Sequence, residues 1–370
     1  MMANQNTLNR WPNDRVATLL RIEHPILLSP MAGIGTVELA AAVSASGGLG
    51  SIGCAGMDAA EVRHELKDLR ELTRAPVNVN FFCHSEPAPD PALEHMWRNR
   101  LTPYYREFGL DPMITPSTVD LPAFDERFCE VVEAMKPEVV SFHFGLPSSD
   151  LLGRVKTAGC RILSTATTVA EARWLEERGV DAIIVQGNEA GGHRGTFLAA
   201  DIENTASDLG LFALIPKVVD SVGIPVIAAG GIVDARGIVA AFALGAAGVQ
   251  MGTAYLLCPE AATSSPYRMA LQGSRPDSTV VTNVFTGRPA RALVNRLIRE
   301  MGPIAPDLPA FPTPMAALAP IRAEAQRRNN ADFTPFWAGK GFASIRNVGA
   351  RDFTSALAIE TLERLHGQSV

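Results

Sequence analysis

Eight short apolar runs, each followed by a more polar stretch, recur along this chain. The runs are 26–31, 49–53, 76–82, 139–144, 161–166, 181–186, 225–230 and 248–252. Near-continuous apolar character over so few residues is typical of parallel strands that are buried on both faces. The chain has 370 residues and is 47% hydrophobic, which is enough to bury a large core. The pattern therefore predicts an α/β protein with a parallel sheet.

The stretches between the runs have the caps and the apolar spacing of helices. Asp58, Thr168 and Asp234 are placed to cap three of them at the N-terminus, and Gly179 and Gly245 to end the last two. Eight strand–helix units fit a (β/α)8 TIM barrel. An open doubly wound sheet is the main alternative, but it usually carries a GxGxxG turn after its first strand, and SPMAGIGT is not that motif.

Two segments interrupt this alternation. Residues 83–125 are polar and proline-rich, and they contain an aromatic cluster that includes Tyr104 and Tyr105. Their length exceeds that of an ordinary βα loop, so we expect a lid over the barrel mouth. Residues 1–258 are expected to form the barrel with this lid. Residues 259–370 are expected to begin with the last barrel helix and to continue as a helical cap.

The segment DAIIVQGNEAGGHRGT, residues 181–196, is the most informative of the strand ends. In a barrel, chemistry is carried at the C-terminal ends of the strands. Here a buried strand ends at Gln186 and continues into a loop that contains Gly191, Gly192 and His193. A histidine in such a loop can serve in acid–base chemistry near neutral pH.

The last two predicted strands end in a pattern that suits a phosphate group. Gly230 and Gly231 follow the seventh strand, and Gly252 and Thr253 follow the eighth. Backbone amides at these two positions form the usual phosphate site of barrel enzymes. The alternative is a pair of tight turns that require glycine. Without a Lys or Arg nearby, the amides and the Thr253 hydroxyl would have to hold the phosphate.

Two amide side chains at strand ends, Asn80 and Gln186, suit the mixed donor and acceptor edge of a heterocycle. Together with a phosphate site they indicate a flat, phosphorylated cofactor. FMN fits better than pyridoxal phosphate, which needs a lysine at a strand end. A metal site is not expected, because no carboxylate ends a strand beside His143 or His193.

The strand-end motifs together resemble the nitronate monooxygenase family. They are PMAG, VNVNFF, SFHFGLP, VQGNEAGGHRG, AAGGI and VQMGTAYL, and TGRPARALVNRL and FWAGKG are similar to class I members. The resemblance covers about residue 22 to about residue 342. It implies an FMN barrel that oxidises alkyl nitronates with O2 to a carbonyl compound and nitrite. Propionate 3-nitronate would be the usual class I substrate.

The resemblance also implies roles for individual residues. His193 would be the active-site histidine and His143 a second histidine near the substrate. His193 would orient the nitronate, as a protonated or a hydrogen-bonding group, or act as base on a neutral nitroalkane. Tyr104 and Tyr105 would either donate to substrate oxygens or pack within the lid. With the glycine loops included, the residues expected to bind FMN are Pro30, Met31, Ala32, Asn80, Gln186, Gly191, Gly192, Gly230, Gly231, Gln250, Met251, Gly252 and Thr253.

The net charge and the hydropathy of the sequence limit the classes of binding partner. A formal net charge of −6 argues against nucleic acid or a membrane surface as partner. No apolar run is long enough to cross a bilayer, and no signal sequence is recognisable, so a cytosolic monomer or homodimer acting on a small molecule is expected. Two other functions stay open. One is an NAD(P)H-dependent flavin reductase of the same fold, since enoyl-reductase relatives share PMAG and AAGGI; the other is a flavin-free phosphate-binding barrel.

Overall fold

The computed structural model describes residues 10–114, 119, 121–198 and 209–367, and these contain eleven β-strands. The strands are β1 (Ile26–Leu28), β2 (Gly50–Gly53), β3 (Val77–Phe82), β4 (Val139–His143), β5 (Arg161–Ala166), β6 (Ala182–Gln186), β7 (Gly192–His193), β8 (Val226–Ala229), β9 (Gly248–Met251), β10 (Thr279–Thr282) and β11 (Ala290–Leu293).

Eight of these strands form a parallel barrel in the order β1-β9-β8-β6-β5-β4-β3-β2. Two backbone hydrogen bonds close it between β1 and the start of β2: Leu28 donates to Leu49 (2.9 Å), and Leu49 donates to Ile26 (3.0 Å). Every predicted apolar run supplies one barrel strand. The predicted (β/α)8 TIM barrel is therefore confirmed.

Thirteen α-helices lie within the described ranges. They are α1 (Arg15–Leu20), α2 (Val37–Ala45), α3 (Ala59–Leu72), α4 (Pro91–Glu107), α5 (Glu126–Met135), α6 (Ser149–Thr157), α7 (Val169–Glu177), α8 (Leu211–Val219), α9 (Ala235–Ala243), α10 (Ser265–Gly273), α11 (Arg296–Met301), α12 (Pro314–Arg327) and α13 (Ala350–Leu365). The predicted caps are confirmed, because Asp58, Thr168 and Asp234 each accept a first-turn N–H of α3, α7 and α9. Gly179 and Gly245 follow α7 and α9 with left-handed φ angles of 74° and 100°.

Side chains alternate between the two faces of each barrel strand. In β3, Val77 and Val79 belong to the core between strands and helices, whereas Asn78 and Asn80 hydrogen-bond to neighbouring strands across the barrel interior. At the amino ends of the strands, α1 closes the barrel, because its Val16 packs with the apolar interior layer. Polar interior side chains are therefore found toward the carboxyl ends.

The segment predicted as a lid, residues 83–125, contains the seventeen-residue helix α4. Its buried face includes Trp97 and Leu101, which pack against α12 and the aromatic ring of Phe333. This second core is separate from the cores of the barrel. Helix α4 thus packs on the C-terminal region, and the lid over the barrel mouth stays a prediction for the rest of the segment.

The last barrel helix is α13, at the end of the chain, rather than a helix at the start of 259–370. Its buried residues, such as Phe353 and Leu357, belong to the main core between barrel and helices. Residues 259–349 therefore form a long insertion between β9 and α13. Within it, β10 and β11 form an antiparallel sheet with β7 of the glycine loop.

Candidate active site

A cavity of about 340 Å³ opens at the carboxyl ends of the barrel strands. The catalytic and cofactor-binding residues predicted from the sequence all line it: Pro30, Met31, Ala32, Asn80, His143, Gln186, Gly191, Gly192, His193, Gly230, Gly231, Gln250, Met251, Gly252 and Thr253. The parallel order of the strands explains this convergence, because the carboxyl ends of parallel strands meet at one edge of the sheet.

His193 is held by the glycine loop against the C-terminal insertion. Its strand β7 pairs with β11, where His193 is opposite Ala290. The imidazole Nε2 lies 3.0 Å from the hydroxyl oxygen of Thr286. The other ring nitrogen, Nδ1, has no hydrogen-bond partner among the described residues, so it is available to a ligand in the cavity.

The surroundings of His193 keep its imidazole neutral. Its ring lies 5.3 Å from the ring of Trp337 and 5.5 Å from that of Phe311, measured between centroids. Burial lowers the pKa of His193 to about 3, and nearby His143 and Arg288 lower it in the same direction. The sequence left open whether His193 is protonated or is a neutral hydrogen-bonding group. With this lowered pKa, His193 is neutral at neutral pH.

His143 uses both ring nitrogens within the protein. Nε2 donates to the backbone oxygen of His193 (3.3 Å), and Nδ1 lies 3.1 Å from the Thr165 hydroxyl. Because a carbonyl oxygen only accepts, Nε2 carries the proton and Nδ1 accepts from Thr165. Burial lowers the pKa of His143 to about 3, aided by Arg288. His143 is thus a neutral group that holds the backbone of His193.

Gln186 fixes the same loop from the end of β6. Its Nε2 donates to the backbone oxygen of His193 (2.9 Å). Its Oε1 accepts from the Gly195 N–H (2.9 Å) and from Nη1 of Arg194 (3.1 Å). The side chain oxygen of Gln186 is therefore occupied by the loop, a role that its position in the sequence did not indicate.

The predicted phosphate site is a surface of backbone amides. Gly230 and Gly231 have left-handed φ angles of 121° and 70°. The FWAGKG segment closes against this loop, and the Gly339 N–H donates to the Thr253 hydroxyl (3.0 Å). A Cβ at Gly191 would lie 2.6 Å from the Gly339 nitrogen, so only glycine allows this approach. Amides rather than side-chain charges are available to an anion here.

Two features of the cavity fit a flavin. The Gln250 Oε1 is buried without a hydrogen-bond partner, as expected of an acceptor that awaits a ring N–H. Asn80 donates from Nδ2 to the Ser141 backbone oxygen (3.1 Å) and hydroxyl (3.0 Å), which fixes its amide at the cavity wall. No lysine is among the residues that line the cavity in the described part of the chain, so a pyridoxal site does not fit.

Sequence reasoning missed the residues that the C-terminal insertion brings to the cavity. These are Thr286, Arg322, Trp337 and Gly339. The motifs TGRPARALVNRL and FWAGKG pointed to this region by resemblance, but no spacing rule places them beside β6. Their position depends on the pairing of β7 with β11.

The expected contact of Tyr104 and Tyr105 with substrate is wrong. Both side chains are buried in the core between α4 and α12. The Tyr104 hydroxyl donates to Glu300 (2.7 Å), and the Tyr105 hydroxyl donates to the Ala317 backbone oxygen (2.7 Å). Neither residue lines the cavity. Their role is packing, which was the alternative.

Removing either hydroxyl should therefore change stability and leave catalysis intact. We expect Tyr105→Phe to lower the free energy of unfolding by about 1 kcal/mol, because it removes the buried hydrogen bond to the Ala317 backbone oxygen. Tyr104→Phe should cost less, since Glu300 can bind water. Urea denaturation and kcat/KM of each variant check this. A tenfold loss of kcat/KM at unchanged stability would contradict the packing role.

Other chemistries find little support in the described residues. Within them no three His, Cys, Asp or Glu side chains are grouped to hold a metal ion. No helix that the structure describes is long and apolar enough to span a membrane. Burial raises the pKa of the Cys54 thiol to about 12, so the cysteine after β2 is not an activated nucleophile.

Comparison with known proteins agrees with this site. A family model described as Nitronate monooxygenase matches residues 13–356. The nitronate monooxygenase of Pseudomonas aeruginosa is 42% identical over 94% of this chain and 99% of its own, and that of Paraburkholderia phytofirmans is 40% identical over 92% and 93%. Among solved structures, nitroalkane oxidase from Streptomyces ansochromogenes aligns with a TM-score of 0.86 and 36% identity, covering 96% of this chain and 100% of that one. FabK from Thermotoga maritima aligns with a TM-score of 0.71 and 31% identity, covering 97% and 100%.

Proposed function

The chain belongs to the nitronate monooxygenase family, and from this we propose that it binds FMN and oxidises alkyl nitronates with O2 to a carbonyl compound and nitrite. Propionate 3-nitronate is the proposed substrate. The observation that carries the proposal is a single cavity that contains both a half-buried imidazole with one free nitrogen and loops of glycine backbone.

Particular residues would hold the cofactor. The amides of Gly231, Gly252 and Thr253 suit its phosphate, and the unpaired Gln250 Oε1 suits an N–H of the ring. The Pro30–Ala32 backbone lines the cavity where the ring is expected to lie. When bound, the flavin supplies the redox chemistry, and the protein supplies placement and electrostatics.

His193 is proposed to face the substrate through Nδ1. A hydroxyl can accept or donate, and the Thr286 hydroxyl lies 3.3 Å from the Arg288 backbone oxygen as well as 3.0 Å from His193 Nε2. When Thr286 donates to Nε2, Nδ1 carries the proton and can donate to a nitronate oxygen. When Thr286 donates to Arg288, Nδ1 has the free lone pair and can remove the α proton of a neutral nitroalkane.

His143 is proposed as a positioning residue. It acts on the backbone of His193 together with Gln186, and both donate to the same carbonyl oxygen. Two donors to one carbonyl fix the peptide that carries the imidazole, which favours a single geometry at Nδ1.

The identity of the electron donor tests the proposal against the flavin reductase of the same fold. Under anaerobic conditions we expect propionate 3-nitronate to reduce the bound flavin quickly in stopped-flow, and NADH or NADPH to reduce it slowly or not at all. The absorbance band at about 450 nm reports the oxidised flavin. Fast reduction by NADH would overturn the nitronate proposal. A protein without this band after FMN is added would instead be a flavin-free barrel.

A further inference from the structure

Arg322 is the one Asp, Glu, Lys or Arg side chain among the described residues that line the cavity. It lies on α12, whose Leu318, Ile321 and Ala325 pack toward α4, while Met315 and Arg322 line the cavity. The helix begins three residues after Phe311, whose ring lies 5.5 Å from His193. Arg322 and His193 therefore line the same cavity, and a short piece of chain that includes Phe311 connects α12 to the surroundings of the imidazole.

Among the described residues, Arg322 also has no hydrogen-bond or ion-pair partner. Its Nε is buried without a hydrogen bond, and no carboxylate of the described residues forms an ion pair with it. Two other arginines at the C-terminal end of α12 differ in this respect, because Arg327 and Arg328 both pair with Glu324. Burial lowers the pKa of Arg322, but a guanidinium still stays charged at neutral pH.

An unpaired guanidinium at the wall of an apolar cavity is costly unless an anion reaches it. Among the residues that line the cavity in the described part of the chain, none is an Asp, a Glu or a Lys. The cavity therefore has an excess positive charge at one point. A planar carboxylate matches the fork of a guanidinium, which gives strong, charge-assisted hydrogen bonds.

We propose that Arg322 is a specificity-determining residue that pairs with a carboxylate of the substrate, so that the enzyme prefers nitronates with a second negative charge. This inference rests on the proposed nitronate oxidation. The nitro end of the substrate would lie at His193 and its carboxylate at α12. The phosphate of the cofactor is the competing anion, and the test separates the two.

The first measurement compares two nitronates that differ in the carboxylate. We expect Arg322→Met to lower the ratio of kcat/KM for propionate 3-nitronate over that for propyl-1-nitronate by about tenfold or more, as one charge-assisted contact would. The loss should appear mainly as a higher KM, because the contact is made with bound substrate before and during reaction. Arg322→Lys should recover part of the ratio. Arg327→Met, an exposed position on the same helix, is the matched control and should leave the ratio unchanged.

The second measurement is direct binding. Propionate, which has no nitro group, should perturb the absorbance of the bound flavin in the wild type, and Arg322→Met should weaken this binding. The FMN dissociation constant of the variant should match that of the wild type. An unchanged ratio of kcat/KM, or a loss of FMN affinity instead, would overturn the role of Arg322 and leave the nitronate proposal intact. If the wild type oxidised neither nitronate, the proposed function would fail, and the propionate titration would still decide whether Arg322 binds a carboxylate.

Discussion

Replacing His193 with Asn is expected to lower kcat/KM for nitronate oxidation by about 10²-fold or more while FMN stays bound. Asn has no atom at the position of Nε2, so it loses the contact with Thr286 that orients the ring, and its amide cannot act as a base. The imidazole of His193 is not among the proposed cofactor contacts, so the flavin spectrum should be unchanged. Stopped-flow reduction and a flavin titration of the same preparation measure both effects. An unchanged kcat/KM would show that the imidazole is structural.

The pH dependence gives an independent check on His193. Because its pKa is lowered to about 3, the imidazole stays neutral at any pH above that value and gains a proton only as the pH falls toward it. With a neutral nitroalkane as substrate, kcat/KM should therefore not fall through protonation of His193 between about pH 8 and pH 5. An acid limb near pH 6.5 that disappears in His193→Asn would contradict an imidazole that is neutral over this range.

The second large effect is expected at Gly191. In Gly191→Ala the new Cβ would lie 2.6 Å from the Gly339 nitrogen and 2.8 Å from the Ala338 carbonyl carbon. Both contacts are backbone atoms that cannot rotate away, so the FWAGKG segment has to move from the glycine loop. We expect FMN affinity to fall by at least about tenfold and the free energy of unfolding by about 1–3 kcal/mol. Fluorescence of released flavin and urea denaturation measure the two losses.

Gly153 offers the matched control. It lies within α6 with nothing within 4 Å of its added Cβ. Gly153→Ala should bind FMN as the wild type does and should gain up to about 1 kcal/mol, because Ala is the better helix residue. Full FMN affinity in Gly191→Ala would mean that the two segments need not touch for the cofactor to bind.

The barrel could be predicted because its signals are local. An apolar run of strand length is recognised within a few residues of chain, and so is a helix cap. The structure forms the predicted caps at Asp58, Thr168 and Asp234. The strand-end site followed from the same rule, since parallel strands bring their carboxyl ends together. Thr253 and His193 were found this way although far apart in sequence.

Helix α4 was missed for a physical reason. Trp97, Leu101, Tyr104 and Phe108 have helical spacing, but the flanking prolines suggested a loop and a lid. The partners of these side chains are about two hundred residues away, for example Phe333. Long-range packing of this kind has no local signature, and the same applies to Arg322 and Thr286. The position of α13 as last barrel helix is a third case.

The position of α13 in the sequence affects the order in which the barrel can fold during synthesis. The eighth helix of the barrel is made after the whole insertion that supplies Thr286, Arg322 and Gly339. The barrel therefore cannot complete its ring of helices before the cavity wall has been synthesised. A chain released early lacks α13 and leaves the core around α2 and α9 open to water. Chains that stop before α13 thus expose apolar surface, whereas a barrel with a closed ring of helices always carries the wall with Thr286, Arg322 and Gly339.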